Sequence, residues 1–277
     1  MTDAFLPDRA LLRVSGADAE SFLHNLVTTD VAGLPAGEAR PGALLTPQGK
    51  ILFDFLIWRE GDGFLIETDA EQLDALTKRL TLYRLRAAVT LAPAGQSVTV
   101  SWAPPAEGAA DARFAKAGIT LTRRAGRHGD GDPSAYHGLR IRAGLVEAGR
   151  DYPLQDAFPH DVLLDLTQGL SFRKGCYVGQ EVVSRMQHRG TARRRVVLVE
   201  ADTALPATGT DLTAGGKPLG TLGSVDNAHG LAIVRIDRAG DAMTNGLPIL
   251  AGDVPVRLTL AEWTGLTFPS GGDEEQA

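Results

Sequence analysis

The sequence predicts an α+β fold whose C-terminal part is all-β. Over the first half, helical and strand periodicities alternate, and hairpin turns join the strands. After Arg195 only strand patterns remain, separated by Gly, Pro and Asn turns. A chain of 277 residues with 43% apolar residues is long enough for one large or two to three small domains.

The N-terminal elements are predicted in order from their spacing. A helix is expected after Ser15–Asp18, because the apolar residues that follow recur at helical spacing. Residues 43–58 contain two apolar runs around a Pro-Gln-Gly turn, which indicates a β-hairpin. A strand at 64–67 and a second helix, capped by Thr68, are expected next.

The remainder of the chain contains a compositional break and then the β-rich region. Residues from about 104 to 135 are rich in Ala, Gly, Pro and Asp, which indicates a linker between subdomains, and 138–145 resembles a short strand. A small β-barrel is predicted over 195–265, and the tail 270–277 is expected to be disordered. The strands predicted within this barrel are 196–200, 219–225, 231–236 and 255–260.

Charge and cysteine content exclude several classes of protein. The 28 basic and 34 acidic residues give a formal charge of −6, which disfavours a broad nucleic-acid-binding face. Cys176 is the only cysteine, so a disulfide framework and a Cys-rich zinc site are excluded. The chain alone cannot supply the four thiolates that usually hold an iron–sulfur cluster. No metal site is predicted.

Targeting and membrane segments are not expected. The first residues carry Asp3 and Asp8 and lack the apolar core of a signal peptide. The longest uncharged run, 87–106, contains three prolines and resembles strands more than a membrane span. These observations predict a soluble, cytoplasmic protein.

The most informative segment is Lys174–Glu181, which reads KGCYVGQE. Its glycines, Gly175 and Gly179, are expected to allow a tight turn and a close approach to a ligand. Apolar residues four apart predict a helix that starts near Gly179. Cys176 would then precede a helix N-terminus among cations, an environment that favours the thiolate form, and the alternative is a buried, inert cysteine.

The octapeptide resembles the signature of the YgfZ proteins, folate-binding relatives of the glycine-cleavage T-protein, an aminomethyltransferase. Further matches to that family occur at 15–31, 46–54 and 169–172. The resemblance implies a ring of three subdomains with a C-terminal β-barrel, in which two interleaved subdomains within 1–190 form the folate-binding region. It also implies tetrahydrofolate-dependent assembly or repair of [4Fe–4S] proteins, which indirectly supports tRNA modification. Implied partners are iron–sulfur assembly factors, [4Fe–4S] client enzymes and folate, with no membrane and no stable nucleic-acid binding.

The same resemblance implies functional residues. Asp54 matches the carboxylate that aminomethyltransferases place against folate, and a carboxylate can accept two pterin N–H groups; the alternative is a solvated side chain. Tyr136 matches an aromatic position that could stack on the pterin, and the alternative is a core tyrosine. Asp54 and Cys176 are the implied catalytic residues. The other implied cofactor contacts are Lys174, Gly175, Tyr177, Gly179, Gln180 and Arg185, of which the cations would border the anionic folate tail.

Two departures from the family pattern bear on the reaction. Arg142 stands where relatives commonly carry a glutamate that touches folate, and Arg9 stands where some YgfZ proteins carry a tryptophan. The charge reversal at Arg142 argues against aminomethyl transfer, although a folate-dependent aminomethyltransferase or other one-carbon transferase remains the alternative. A third reading is a folate-sensing or tRNA-binding module without chemistry.

Overall fold

The computed structural model describes residues 2–103, 107–190 and 192–269 of the chain. The chain divides into two compact units. The first unit contains Met1–Tyr136 and Leu164–Gln180, and the second contains His137–Leu163 and Glu181–Ala277. The predicted disordered tail at 270–277 lies outside the described residues.

The first unit is built on a closed seven-stranded barrel. Its strands are β1 (Asp3–Ser15), β2 (Glu38–Leu45), β3 (Ile51–Glu60), β4 (Gly63–Asp69), β5 (Thr90–Ser101), β6 (Ala109–Asp111) and β7 (Thr122–Ala125). The order around the barrel is β1-β4-β3-β2-β6-β7-β5. All pairs are antiparallel except β2 with β6. The predicted hairpin is β2–β3, in which Asp54 lies opposite Ala43.

Three helices accompany this barrel: α1 (Ala19–His24), α2 (Leu73–Arg84) and α3 (Ala112–Lys116). The first two are the helices predicted from apolar spacing, and Leu73, Leu76 and Leu80 of α2 are buried. Thr68 does not cap α2, because it belongs to β4 and the helix begins after Gln72. Part of the segment interpreted as a linker forms β6, α3 and β7, so these residues complete the barrel; residues 104–106 lie outside the described part.

The interior of the first barrel contains a chain of buried ions. Glu67 on β4 lies 2.6 Å from Arg123 on β7, and these strands are not neighbours, so the ion pair crosses the barrel. Arg123 also binds Asp111 at 2.7 Å, and Arg9 binds Glu67 at 2.9 Å. Burial alone would raise the pKa of Asp111, but the charges of Arg113 and Arg123 hold it below its ordinary value. The periodicity of the strands does not reveal this network, because a buried arginine reads as a polar surface position.

The second unit contains the predicted C-terminal barrel, a closed sheet of six antiparallel strands. They are β8 (Arg194–Ala201), β9 (Asp211–Ala214), β10 (Lys217–Asp226), β11 (His229–Arg235), β12 (Ile249–Ala251) and β13 (Val254–Thr259). Their order is β10-β11-β8-β13-β12-β9. The remaining helices are α4 (Pro133–Ala143), α5 (Gln180–Arg189), α6 (Ile236–Thr244) and a 3-10 turn (Glu262–Thr264); α4 and α5 begin with residues of the first unit and continue in the second. Apolar side chains from the strands and from α6 form its core.

Residues 138–145 are not the strand that the sequence predicts, because most of them belong to α4. The fully buried Arg140 explains the misleading pattern. Its guanidinium donates to the Asp151 carboxylate at 2.6 Å and to the Ser224 hydroxyl at 2.7 Å, so this helix carries a charge on its buried face. Among the described residues, no helix has the length and apolar character needed to cross a bilayer.

Candidate functional site

The signature segment is anchored to the first unit by the Lys174 side chain. Its ammonium group donates to the carbonyl oxygens of Val27 at 2.6 Å and Thr29 at 3.2 Å, and also to that of His24. His24 is the last residue of α1, and Val27 and Thr29 follow it, at a helix end that leaves carbonyl acceptors without internal partners. Lys174 therefore caps the end of α1 and fixes the start of the signature loop, and its charge is turned toward the protein.

Burial lowers the pKa of Lys174 to about 8, and the nearby Asp30 carboxylate opposes this shift. The same ammonium lies 5.2 Å from the centre of the Tyr177 ring. Lys174 is predicted to bind the anionic folate tail. In the structure, backbone carbonyls already accept the N–H donors of its ammonium group, so a folate tail would compete with them.

A second attachment joins the segment before the signature to the start of the chain. The Thr28 hydroxyl donates to the Gly169 carbonyl at 2.6 Å, and the Thr29 hydroxyl donates to the Gln168 carbonyl at 3.1 Å. The Ser171 amide donates to the Thr28 carbonyl at 2.9 Å. Sequence reasoning noted these positions only as family matches, because pairs of polar residues about 140 positions apart carry no local signal.

Gly179 brings the signature against the turn of the β2–β3 hairpin. Its φ is +81°, and a Cβ at this position would lie 2.5 Å from the Thr46 carbonyl oxygen and 3.1 Å from the Gly49 Cα. Glycine is required here both for its backbone conformation and for the close approach. Gly175 differs, because a Cβ there would meet nothing within 4 Å, so the fold itself does not require glycine at that position; the expected approach to a ligand stays a prediction.

Cys176 is exposed to solvent between these two anchors. The predicted helix start is confirmed, since α5 begins at Gln180, four positions after the thiol. The alternative of a buried cysteine is therefore excluded. In the described part of the chain, no group of three or more His, Cys, Asp or Glu side chains is arranged to hold a metal ion.

Tyr177 contrasts with its exposed neighbour. It is buried, and its hydroxyl has no hydrogen-bond partner among the described residues. Burial raises the pKa of this phenol, so the hydroxyl stays protonated and is able to donate. A buried polar atom without a partner is costly, which makes this hydroxyl a contact that a ligand would satisfy.

Asp54 and Tyr136 lie in different surroundings. Asp54 is half-buried on β3, three residues after its start at Ile51, which places it about 10 Å along the strand from the hairpin turn. Tyr136 has no exposed surface, packs on Phe114 and accepts a 2.6 Å hydrogen bond from Arg123. This environment favours the core-tyrosine alternative over pterin stacking.

The remaining cations named from the sequence have protein partners. Arg185 on α5 pairs with Glu181 one turn away at 2.7 Å, and both side chains are exposed. Arg142 pairs with Asp226 at 3.0 Å. Arg9 is buried against Glu67, so it contributes to the interior of the first barrel. Gln180 is half-buried at the first position of α5.

This chain is similar to known proteins both in its C-terminal barrel and over most of its length. A family model described as the CAF17 C-terminal beta-barrel domain matches residues 193–266. The chain is 34% identical over 273 residues to the mitochondrial iron–sulfur cluster assembly factor IBA57 of Mus musculus, covering 83% of this chain and 76% of that protein. The protein of the same name from Homo sapiens is 34% identical over 272 residues, with the same coverage.

These relatives are mitochondrial proteins, a finding that overturns the predicted cytoplasmic location. That expectation depended on the acidic first residues, which lack the apolar core of a signal peptide, and on the absence of an apolar span in the run 87–106, and neither observation reports a compartment.

Among solved structures, the aminomethyltransferase T of the glycine cleavage system from Bartonella henselae matches with a TM-score of 0.71. The match covers 94% of this chain and 85% of that one at 18% sequence identity, so it concerns the fold. The α+β class, the T-protein-like architecture and the C-terminal barrel expected from the sequence are thereby confirmed.

Proposed function

Because this chain belongs to the IBA57 (YgfZ) family of iron–sulfur cluster assembly factors, we propose that it supports the assembly or repair of [4Fe–4S] proteins with the help of a bound reduced folate. The observation that carries the proposal is the exposed Cys176 in a loop fixed on one side by Lys174 and on the other by Gly179. A rigidly held, accessible thiol suits the transient ligation of a cluster that is handed on.

The cluster is the cargo in this proposal. A single thiol supplies one of the four ligands that a [4Fe–4S] cluster usually takes, so the others come from a partner protein, a second copy or a small thiol. Iron–sulfur assembly factors and [4Fe–4S] client enzymes are the proposed partners. Support for tRNA modification would be indirect, through a client enzyme that carries such a cluster.

The residues of the first unit fit a reduced folate in part. Asp54 offers a half-buried carboxylate, and Tyr177 offers a buried hydroxyl without a partner. A carboxylate of this kind would bind adjacent pterin N–H groups in a bidentate manner. Tyr136 offers no open ring face, and Lys174 and Arg185 already have partners. We assign recognition of the pterin to Asp54 because it matches the carboxylate that aminomethyltransferases place against folate, and the folate would supply one-carbon or redox chemistry when bound.

Complementation tests the assembly role. In a strain that lacks its own copy of the gene, the wild-type chain should restore [4Fe–4S] enzyme activity under oxidative stress, whereas Cys176→Ser should fold normally and fail to restore it. Enzymes without a cluster serve as the internal control. Full complementation by Cys176→Ser would show that the thiol is not used, and no restoration by the wild-type chain would refute the assembly role.

Isothermal titration with tetrahydrofolate tests the folate part separately. Saturable binding should weaken by about tenfold in Asp54→Ala, the loss of one charge-assisted contact. Tyr136→Phe is a matched control, because the loss of one hydroxyl from a fully buried residue should not change the affinity. Absence of heat at millimolar ligand would refute folate binding. Turnover with tetrahydrofolate and an aminomethyl-lipoyl carrier would instead favour the one-carbon transferase alternative.

A further inference from the structure

A basic surface with exposed leucines lies at the C-terminal end of α2. We define the 78–86 patch as the exposed residues Lys78, Arg79, Leu82, Arg84, Leu85 and Arg86. Leu82 and Leu85 are 70% and 88% exposed, the two highest values among the large exposed apolar side chains of the described residues. Leucines on this scale of exposure beside four cations are typical of an interaction surface more than of a solvated helix end.

The cations of the patch lack the carboxylate partners that accompany many other surface arginines. Arg59, Arg124 and Arg257, for example, bind acidic side chains at 2.7 to 2.9 Å. Among the described residues no ion pair involves a cation of the patch, and Arg84 makes only a 3.4 Å hydrogen bond to the Val89 carbonyl. No Asp or Glu occurs between Asp74 and Glu107, although the chain as a whole is acidic. The patch is therefore a local excess of positive charge without internal neutralisation.

The backbone at the centre of the patch is unfavourable for the residue that occupies it. Leu85 ends α2 with a φ of 45° and a ψ of −107°, in the left-handed half of backbone space that disfavours a leucine. Its side chain gains no burial in return. The strained backbone at this position lowers the stability of the isolated chain, and the exposed side chain offsets none of that cost by burial, so its benefit is expected in a contact with another molecule.

From this combination we infer that the 78–86 patch docks a partner protein through a surface that has an apolar centre and an acidic rim. The inference deepens the proposed function, on which it rests for the class of partner. Arginine forks bind carboxylates in a bidentate manner, and the two leucines would fill the apolar centre. A nucleic acid would leave the leucines unused, because cations contact its phosphates.

Two other occupants fit the patch less well. A membrane-surface helix presents a continuous apolar face to lipid, whereas Leu73, Leu76 and Leu80 of α2 are buried in the first unit. A symmetric contact between two copies would place the four cations against each other, which is repulsive. An acidic protein surface is the occupant that uses both the charge and the leucines.

The test places a photo-crosslinker, p-benzoylphenylalanine, at Leu82 in cells that express this chain in place of their own copy. The same replacement at Met243, an exposed apolar residue of the second unit, is the matched control. We expect a protein adduct specific to position 82 whose crosslinked peptide is rich in Asp and Glu. Adducts only with lipid, nucleic acid or a second copy, or none above the control, would overturn the inference.

The captured protein is then purified and titrated with the unmodified chain. Arg79→Glu combined with Arg86→Glu should weaken binding at least tenfold, and added salt should weaken the wild-type complex. Leu85→Gly should raise the thermal unfolding midpoint of the chain and yet weaken binding, a pairing that a merely structural role would not produce. Lys217→Glu, in the second unit, should change neither property. Unchanged affinity in the charge-reversed variant would refute the docking surface.

These outcomes are distinct from failure of the proposed function. If wild-type chain restores [4Fe–4S] enzyme activity but the patch variants do so equally, the docking inference alone is wrong. If the wild-type chain restores nothing while the position-82 adduct still forms, the surface is correct and the assembly role is wrong.

Discussion

The ammonium group of Lys174 lies 2.6 Å from the carbonyl oxygen of Val27, and this contact joins the signature loop to the end of α1 across 147 positions of sequence. With Thr29 and His24 it gives the ammonium three backbone acceptors. An ammonium has three N–H donors, so all of them are used by the protein. Lys174 therefore has a positional role within the fold of this chain.

Removal of this ammonium should loosen the loop. Lys174→Met keeps the length of the side chain but leaves three partly buried carbonyls without their donor, so the free energy of unfolding should fall by about 2–3 kcal/mol. Urea denaturation measures the loss. Lys217→Met, an exposed lysine, should be near neutral; equal effects of the two changes would contradict the anchoring role.

The pKa of Lys174 should be lower than the ordinary pKa of a lysine. Burial lowers its pKa to about 8, against an ordinary value of 10.5. Between these values the unfolded chain binds more protons at this site than the folded chain, so its contribution to the free energy of unfolding should increase with pH from about 8 to 10.5. The chain has five lysines. Carbon-13 NMR of labelled lysines should therefore resolve one early titration that disappears in Lys174→Met.

The two signature glycines should respond differently to the same change. Gly179→Ala combines a positive φ with a Cβ 2.5 Å from the Thr46 carbonyl, so stability should fall by about 2 kcal/mol or more. Gly175→Ala meets no atom within 4 Å and should alter stability by less than about 0.5 kcal/mol. Thermal unfolding measures both, and a similar loss in the two variants would refute the contact with the hairpin turn.

Neighbouring arginines test the buried network. Arg123→Leu leaves the Glu67 and Asp111 carboxylates with fewer partners inside the barrel, which should cost about 3 kcal/mol or more. Arg124→Leu removes an exposed pair with Glu107 and should cost less than about 1 kcal/mol. If Arg123→Leu does not fold, Tyr136→Phe gives a milder test, since it deletes only the acceptor of the Arg123 hydrogen bond. Equal stability of both arginine variants would contradict the network.

Local patterns in the sequence predict much of the fold. The β2–β3 hairpin, both early helices and four strands of the C-terminal barrel follow from apolar spacing and turn residues, which act over a few positions. Errors occur where charges are buried. Arg140 contributed to the resemblance of α4 to a short strand. Asp111 and Arg123 contributed to the resemblance of barrel strands to a linker, because the pattern of the sequence does not reveal that these charges are buried in ion pairs.

In the candidate site, too, the sequence predicts the local features and does not predict those that depend on tertiary packing. The helix start after Cys176 and the need for glycine at 179 follow from the octapeptide, since both are properties of a short segment. The capture of Lys174 by carbonyls near residue 27, the burial of Tyr136 behind Arg123 and the isolated hydroxyl of Tyr177 depend on tertiary packing. No spacing within the sequence reports these relationships.

The attachment of Lys174 to the residues after α1 also sets an order of events during synthesis. At about 5–20 residues per second, the ribosome needs roughly 7–30 s to pass from Val27 to Lys174, so the N-terminal barrel strands emerge well before the lysine. The loop that carries Cys176 can dock onto the residues after α1 only after this interval. Protease resistance of arrested nascent chains should therefore increase sharply once residues beyond the signature have left the exit tunnel.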